Sequence, residues 1–472
     1  YINEPRAMPV EFFKNRPEMA GTPDREQPGY QAMCTSHPAV RQWLTDGMAY
    51  LFEKVPGLGG VITITASENL TNCYSRLSQE DCPHCRERAI GDILLEVNKA
   101  IAEGVHRSAP DAKVFVWDWA WFRHGDASET IAKLPKSVWL MSVSEWKLPI
   151  EHQGIKGLVG EYAMSLVGPG PRALQHWKVA KEHGLKIAAK TQYNCTWEIA
   201  ALPFIPVMDL VAQHNVNLAS EGLDGQMMSW SLGGYPSLNL ELARRISEQK
   251  KPDGDAALQS LAEDAFGKQA APLIRKAWTQ FSAAFREYPY NSSGLYAGAQ
   301  HMGPANLLYG KPTGYGATMV GFPYDDVVSW CGHYPDVIYL SQMQKLSEGW
   351  AKGMESFEKA VALADPDKKE EAQRELSVAK ALGLHWASVA NQTQFAMDRN
   401  AVARSNNPAD QEHLKQRMRS TIDSEIALAK QMYDVSKADS RVGFEATMHY
   451  YYVPLDLVEK VINCEHVIAE LK

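Results

Sequence analysis

Buried-strand patterns recur along the first half of the chain, and each is followed by a helical one. Residues 61–65 (VITIT) are a run of β-branched residues, which suits a buried strand better than a helix. Residues 113–117 (KVFVW), 137–143 and 185–190 read the same way, as do shorter runs at 1–4, 29–34 and 225–230. Between them lie segments with apolar residues at helical spacing: 40–55, 89–105, 173–183, 207–214 and 238–249. Alternation of this kind predicts a parallel sheet closed by right-handed crossovers. The chain opens on Tyr-Ile-Asn-Glu, which reads as mid-strand, so one further strand is expected to precede it and bring the count to eight. The predicted fold class is α/β: a (β/α)8 TIM-type barrel, its first strand missing from this chain, with a doubly wound sheet as the alternative.

From about residue 253 the pattern changes. Residues 256–266, 271–288, 339–363, 368–401 and 411–436 carry long amphipathic helical patterns. A catalytic barrel over residues 1–250 and an α-helical C-terminal domain over 251–472 are therefore expected, since 472 residues exceed one ordinary core. Residues 290–335, rich in Gly, Pro and Tyr, form a long loop whose aromatic content argues for order and for packing near the barrel mouth.

Composition narrows the function. Net charge is −8 with no long Lys/Arg run, which excludes a nucleic-acid partner. No run approaches the ~18 apolar residues of a membrane span. There is no initiator Met and no signal peptide, so the true N-terminus is expected to be absent and targeting is not legible. Seven Cys, an odd number with four in the first fifth, favour a reducing, cytoplasmic compartment. Thirteen Trp and nineteen Tyr either fill a core or offer flat faces on which sugar rings stack.

The strand ends decide between these. Glu4, Glu68-Asn69, Trp117-Asp118-Trp119, Glu145-Trp146, Gln192, Asn194 with Trp197-Glu198, and Trp230 all follow predicted strands. In α/β barrels catalytic groups sit at the C-terminal ends of strands. Each carboxylate taken alone is explained by a helix cap or a loop ion pair. Carboxylates at four strand ends interleaved with Trp match the needs of glycoside hydrolysis: an acid for the leaving oxygen, a second group for the cation, rings to hold the sugar. Metal-assisted hydrolysis loses support because the strand ends carry almost no His and HExxH is absent; GxSxG, GxGxxG and GxxxxGK[ST] are absent too. Asp325-Asp326 in the long loop reads as a turn or cap, with a contribution to the site as the alternative. Cys82-Pro-His-Cys85 is a CxxC with Cys73 upstream in the same loop, and Cys34 ends the adjacent predicted strand. The four thiols are either a structural Zn2+ site or free buried cysteines.

The stretches ITITASENLTNCYSR, CPHC, VFVWDWAW, KTQYNCTWE and MSWSLGGYPS resemble an uncharacterised bacterial group similar to the family 20 glycoside hydrolases, the β-N-acetylhexosaminidases. The resemblance covers residues 1–250. It implies Glu68 as general acid/base, because that family's fourth strand ends in an Asp-Glu pair. There the Asp orients the substrate's own acetamido group as nucleophile; here Ser67 precedes Glu68, so Asp118 or Glu145 is expected to supply the second carboxylate. It also implies Trp117, Trp146 and Trp230 as pocket walls. The expected function is a retaining, exo-acting β-N-acetylhexosaminidase-like enzyme that needs no cofactor for catalysis, with a carbohydrate as its partner. Asn69, Gln192, Asn194 and Glu198 would hydrogen-bond the sugar. The alternatives are double displacement with Glu145 or Glu198 as nucleophile, or a non-catalytic carbohydrate-binding barrel.

Overall fold

Local turn chemistry decides the first departure from the expected barrel. The computed structural model describes residues 1–66, 69–194, 196–230, 235–319, 321–445 and 449–471. Strands β1 (Met8–Pro9), β2 (Ala20–Pro23) and β3 (Tyr30–Met33) form a small antiparallel sheet in the order β1-β3-β2. Asp24 accepts hydrogen bonds from the amides of Glu26 and Gln27, and Gly29 takes the left-handed φ of +95°, so β2 and β3 close as a hairpin. Residues 29–34, expected as a barrel strand, are held by this short-range pairing instead of by a parallel crossover.

The parallel sheet itself has β4 (Gly60–Ile64), β5 (Lys113–Trp117), β6 (Val138–Val143), β9 (Lys186–Lys190) and β10 (Gly225–Met227), in the order β10-β9-β6-β5-β4. The segment 1–4 adds only a single parallel bridge, Ile2 to Thr63. The expected (β/α)8 barrel is therefore corrected: among the described residues, five parallel strands make an open half-barrel. Nearly continuous burial of β6 and β9 (Val138, Leu140, Met141, Val143, Ile187, Ala188 and Ala189) is what a sheet covered on both faces requires.

The chain divides into two compact units that interleave in sequence. Unit 1 holds Tyr1–Ser144, Pro171–Lys190 and Leu223–Gln226; unit 2 holds Glu145–Gly170, Thr191–Gly222 and Met227–Lys472. In unit 1, helices α1 (Pro38–Lys54) and α2 (Ile90–Ser108) lie so close that a Cβ on Gly104 would meet the Thr45 carbonyl oxygen at 2.2 Å. The short α3 (Ser128–Ala132) and α4 (Pro171–Glu182) complete this unit.

Unit 2 begins with a hairpin, β7 (Pro149–His152) and β8 (Ile155–Leu158), which the sequence pattern did not reveal. Helices α5 (Met208–Ser220), α6 (Leu238–Ser247), α7 (Gly254–Phe266) and α8 (Ala271–Phe285) follow. The described part of the expected loop, residues 290–319 and 321–335, includes α9 (Ser292–Ala297) and α10 (Val327–Cys331); Asp326 caps α10 by accepting from the Ser329 amide. The long helices α11 (Asp336–Ala362), α12 (Lys369–Arg404) and α13 (Pro408–Ala438), a two-strand ribbon of β11 (Phe444–Glu445) and β12 (His449–Tyr450), and α14 (Pro454–Glu470) complete it. Phe281 of α8 stacks on Trp350 of α11 at 4.3 Å, and the apolar stripes read in the sequence are buried here.

Candidate active site

At the end of β4 the backbone is fastened before the residue of greatest interest. The Thr65 carbonyl accepts from Thr71 Oγ1 at 3.2 Å and from the Asn72 amide group, while its hydroxyl receives Trp121 Nε1 at 3.3 Å and Asn98 Nδ2 at 3.4 Å. Glu68, expected as the general acid, lies with Ser67 outside the described residues. Asn69 is half-buried, and its carbonyl accepts from the Thr71 amide.

The neighbouring strand, β5, delivers Asp118 fully buried. Its Oδ2 is 2.5 Å from His176 Nδ1 and accepts from Ser142 Oγ at 2.7 Å; Arg172 Nη2 donates to its carbonyl at 3.2 Å. Burial pushes this carboxyl up, but the hydrogen bond and charge of His176, with Arg172 and Ser142, outweigh it and hold it below the usual carboxylate range. Its Oδ1 has no hydrogen-bond partner among the described residues. Trp117 is buried and Trp119 half-buried, their rings 5.9 Å apart. Glu4 accepts from the Arg6 amide at 2.8 Å, a local turn contact.

In unit 2, Glu145 is 2% exposed, with Oε1 3.6 Å from His214 Nε2. Burial pushes His214 down to about 3. Tyr193 stands edge-on to the same imidazole at 5.9 Å. Trp146 is buried, and Gly170 lets the chain pass its carbonyl: a Cβ there would lie 2.3 Å from the Trp146 oxygen.

Gln192, two residues beyond β9, is 2% exposed, and neither its amide oxygen nor its nitrogen has a hydrogen-bond partner among the described residues. An amide buried in this state is costly unless a ligand completes it. Asn194, by contrast, donates to the Tyr235 carbonyl and accepts from Ser237 Oγ at 2.5 Å, which ties two loops together. Trp197 packs on Tyr296 at 5.4 Å, and Trp230 is half-buried. Glu198 is fully buried and accepts four hydrogen bonds: from the Met164 and Ser165 amides at 2.7 and 3.1 Å, from Ser165 Oγ at 2.6 Å and from Thr196 Oγ1 at 3.2 Å. Burial exceeds the pull of those donors and raises its carboxyl to about 7. Three of these contacts brace the 164–165 segment, and the fourth is local, from Thr196.

Sequence reasoning missed His176 and His214. Each sits on the buried face of a helix, α4 and α5, and not at a strand end, and its only sequence signal is a histidine within an apolar stripe. The four expected thiols do converge: Cys34, Cys73, Cys82 and Cys85 are all fully buried, with sulfur atoms within 4.8 Å of one another.

No family model matches the chain, and no curated protein does. Solved structures do. A family 89 glycoside hydrolase from Clostridium perfringens in complex with 2-acetamido-1,2-dideoxynojirmycin is similar over 99% of this chain and 50% of its own, with a TM-score of 0.54 and 11% identity. A family 138 enzyme targeting pectin rhamnogalacturonan II is similar over 92% of this chain and 52% of its own, with a TM-score of 0.51 and 11% identity. The family 89 enzyme in complex with its substrate GlcNAc-alpha-1,4-galactose gives a TM-score of 0.50 at 10% identity, over 99% of this chain and 50% of its own. At such identities the likeness is one of fold, and the chain spans about half the length of these structures. The fold is one found in glycoside hydrolases, of families 89 and 138 where the sequence resemblance had pointed to family 20.

Proposed function

We propose that this protein is a glycoside hydrolase, exo-acting and retaining, that takes N-acetylhexosaminides. The observation that carries the reading is Glu145: a buried carboxylate two residues beyond β6, with His214 Nε2 3.6 Å from its Oε1. A buried carboxylate so placed can supply the counter-charge that a sugar cation needs. Glu68, four residues beyond β4 in the sequence, is the general acid/base. Gln192, whose buried amide has no partner among the described residues, offers it to a sugar hydroxyl or acetamido group. The substrate class follows the family 89 relatives, whose bound ligands carry a 2-acetamido group.

Two routes lead through these residues. In one, the substrate's acetamido oxygen attacks the anomeric carbon, with Glu145 or Asp118 orienting it while Glu68 protonates the leaving oxygen. In the other, Glu145 attacks directly, and a covalent glycosyl-enzyme is then hydrolysed. Ser67, in the place where an orienting Asp is expected, favours the second. Glu198 is the weaker nucleophile because its carboxylate already accepts four protein donors.

A panel of nitrophenyl glycosides of both anomers, with and without the 2-acetamido group, tests the reading. Wild type is expected to cleave an N-acetylhexosaminide, and Glu68→Gln and Glu145→Gln to lose roughly 10²–10⁴-fold in kcat/KM. Recovery of Glu145→Ala by azide with formation of a glycosyl azide marks direct attack. A wild type that binds these sugars and turns over none is a carbohydrate-binding protein, and the enzyme reading fails.

A further inference from the structure

Four thiols from three separate stretches of unit 1 meet in one place. Cys34 follows β3 directly, Cys73 lies in the loop after β4, and Cys82 and Cys85 flank the Pro-His pair of the same loop. All four are fully buried, and every sulfur lies within 4.8 Å of every other. Cys34 Sγ is 3.6 Å from Cys82 Sγ and 3.7 Å from Cys85 Sγ. A disulfide needs about 2.05 Å, and all four cysteines are free. A tetrahedral ion with Zn–S bonds of about 2.3 Å holds its sulfurs about 3.8 Å apart, the edge of that tetrahedron. The observed separations match the metal geometry and not the covalent one.

The surroundings fit as well. The Cys85 and Arg86 amides both fold back on the Cys82 carbonyl at 3.1 Å, giving the tight turn that lets a CxxC present two sulfurs to one ion. Ser36 Oγ lies 3.2 Å from Cys85 Sγ and can donate to a thiolate. Gly21 leaves the space: a Cβ there would stand 2.7 Å from Cys73 Sγ. The loop over residues 69–89 carries only the three-residue 3-10 helix Gln79–Asp81, so regular backbone pairing contributes little to its shape. Packing explains one buried cysteine at a time, since a thiol behaves as a small hydrophobe. It does not require four to converge from three stretches onto a common centre.

We infer that Cys34, Cys73, Cys82 and Cys85 hold a structural Zn2+ as four thiolates. On binding, four S–H bonds give way to four Zn–S bonds, and four protons pass to solvent. No oxidant or reductant takes part, because zinc has no redox chemistry and a four-sulfur tetrahedron leaves no open position. The ion ties the end of β3 to the loop that runs on from Glu68, and it stands whether or not the chain is a glycosidase.

Metal analysis of the full chain, purified without chelator, tests this. About one zinc per chain is expected, released in step as a mercurial reagent titrates four thiols. The double variant Cys82→Ser/Cys85→Ser is expected to lose the zinc, whereas Cys331→Ser and Cys464→Ser, buried thiols elsewhere in the chain, keep it. Should the double variant fail to fold, wild type reconstituted with Co2+ gives an independent reading, the ligand-field and thiolate-to-metal bands of a four-thiolate tetrahedron. A folded chain with no metal, about one iron in place of zinc, a disulfide among these four residues, or Co2+ spectra without thiolate bands would each overturn the assignment.

Discussion

Two buried carboxylates show how neighbours set the sign of an electrostatic effect. Glu198 has its carboxyl raised to about 7, by burial above all. The folded protein therefore binds that proton more tightly than the unfolded chain does, and the resulting stability is fully present below the unfolded value of about 4.3 and lost as pH rises through 7. The contribution has an upper bound of about 4 kcal/mol. Glu198→Gln is expected to flatten the fall in urea midpoint between pH 5 and 8. It also lowers stability overall by roughly 1–3 kcal/mol, because one amide oxygen cannot serve the four donors now satisfied. Asp118 behaves in the opposite sense. His176, Arg172 and Ser142 depress its carboxyl despite burial, so its contribution is present above an unfolded value of about 3.9 and lost as pH falls through the folded one. Asp118→Asn should make acid unfolding less steep below about pH 4, read by circular dichroism. These partnerships were only half legible in sequence. The carboxylates stood out as strand-end residues, whereas Ser142, His176 and Ser165 come from other strands, helices and loops that topology alone brings in.

Elements with strong periodicity were legible, and those fixed by local turns or by partner contacts were not. The sequence pattern located β4, β5, β6, β9 and the long helices α7, α8, α11, α12 and α13 because each buries a continuous stripe. It placed residues 29–34 in the wrong sheet, since so short a strand carries no record of which neighbour it pairs with, and the Asp24–Gly29 turn decided. The helix pair α1–α2 offers a test of close approach. Gly47 of α1 is exposed with nothing within 4 Å of an added Cβ, so Gly47→Ala should stabilise by about 0.5–1 kcal/mol through helix propensity. Gly104→Ala on α2 should destabilise by about 1–3 kcal/mol, because its Cβ meets a backbone oxygen that has nowhere to go. Urea midpoints of the two variants should move in opposite directions. Between α13 and α14, Lys460 and Glu425 form a fully buried pair at 2.8 Å, with Ser388 Oγ also donating to Glu425. Lys460→Met alone should cost about 3–5 kcal/mol by stranding the carboxylate, and Lys460→Met/Glu425→Leu should recover most of that, a double-mutant cycle read by the same denaturation.

At the scale of the whole molecule, the two units are built from chain segments that alternate along the sequence. Residues 145–170 and 191–222, which carry Glu145, Gln192, Glu198 and His214, belong to the same unit as every helix from α7 onward. A fragment ending at residue 250 retains unit 1 entire but leaves these stretches without the helices that complete their unit. Expressed alone, it should show the exposed apolar surface of a partly folded chain by dye binding, whereas the full chain should not. The consequence reaches into how such a protein can change over evolutionary time. A unit written as one continuous stretch can be copied, lost or exchanged by a single cut at either end. Here five crossings of the chain separate the units, so no single cut frees either one from the other.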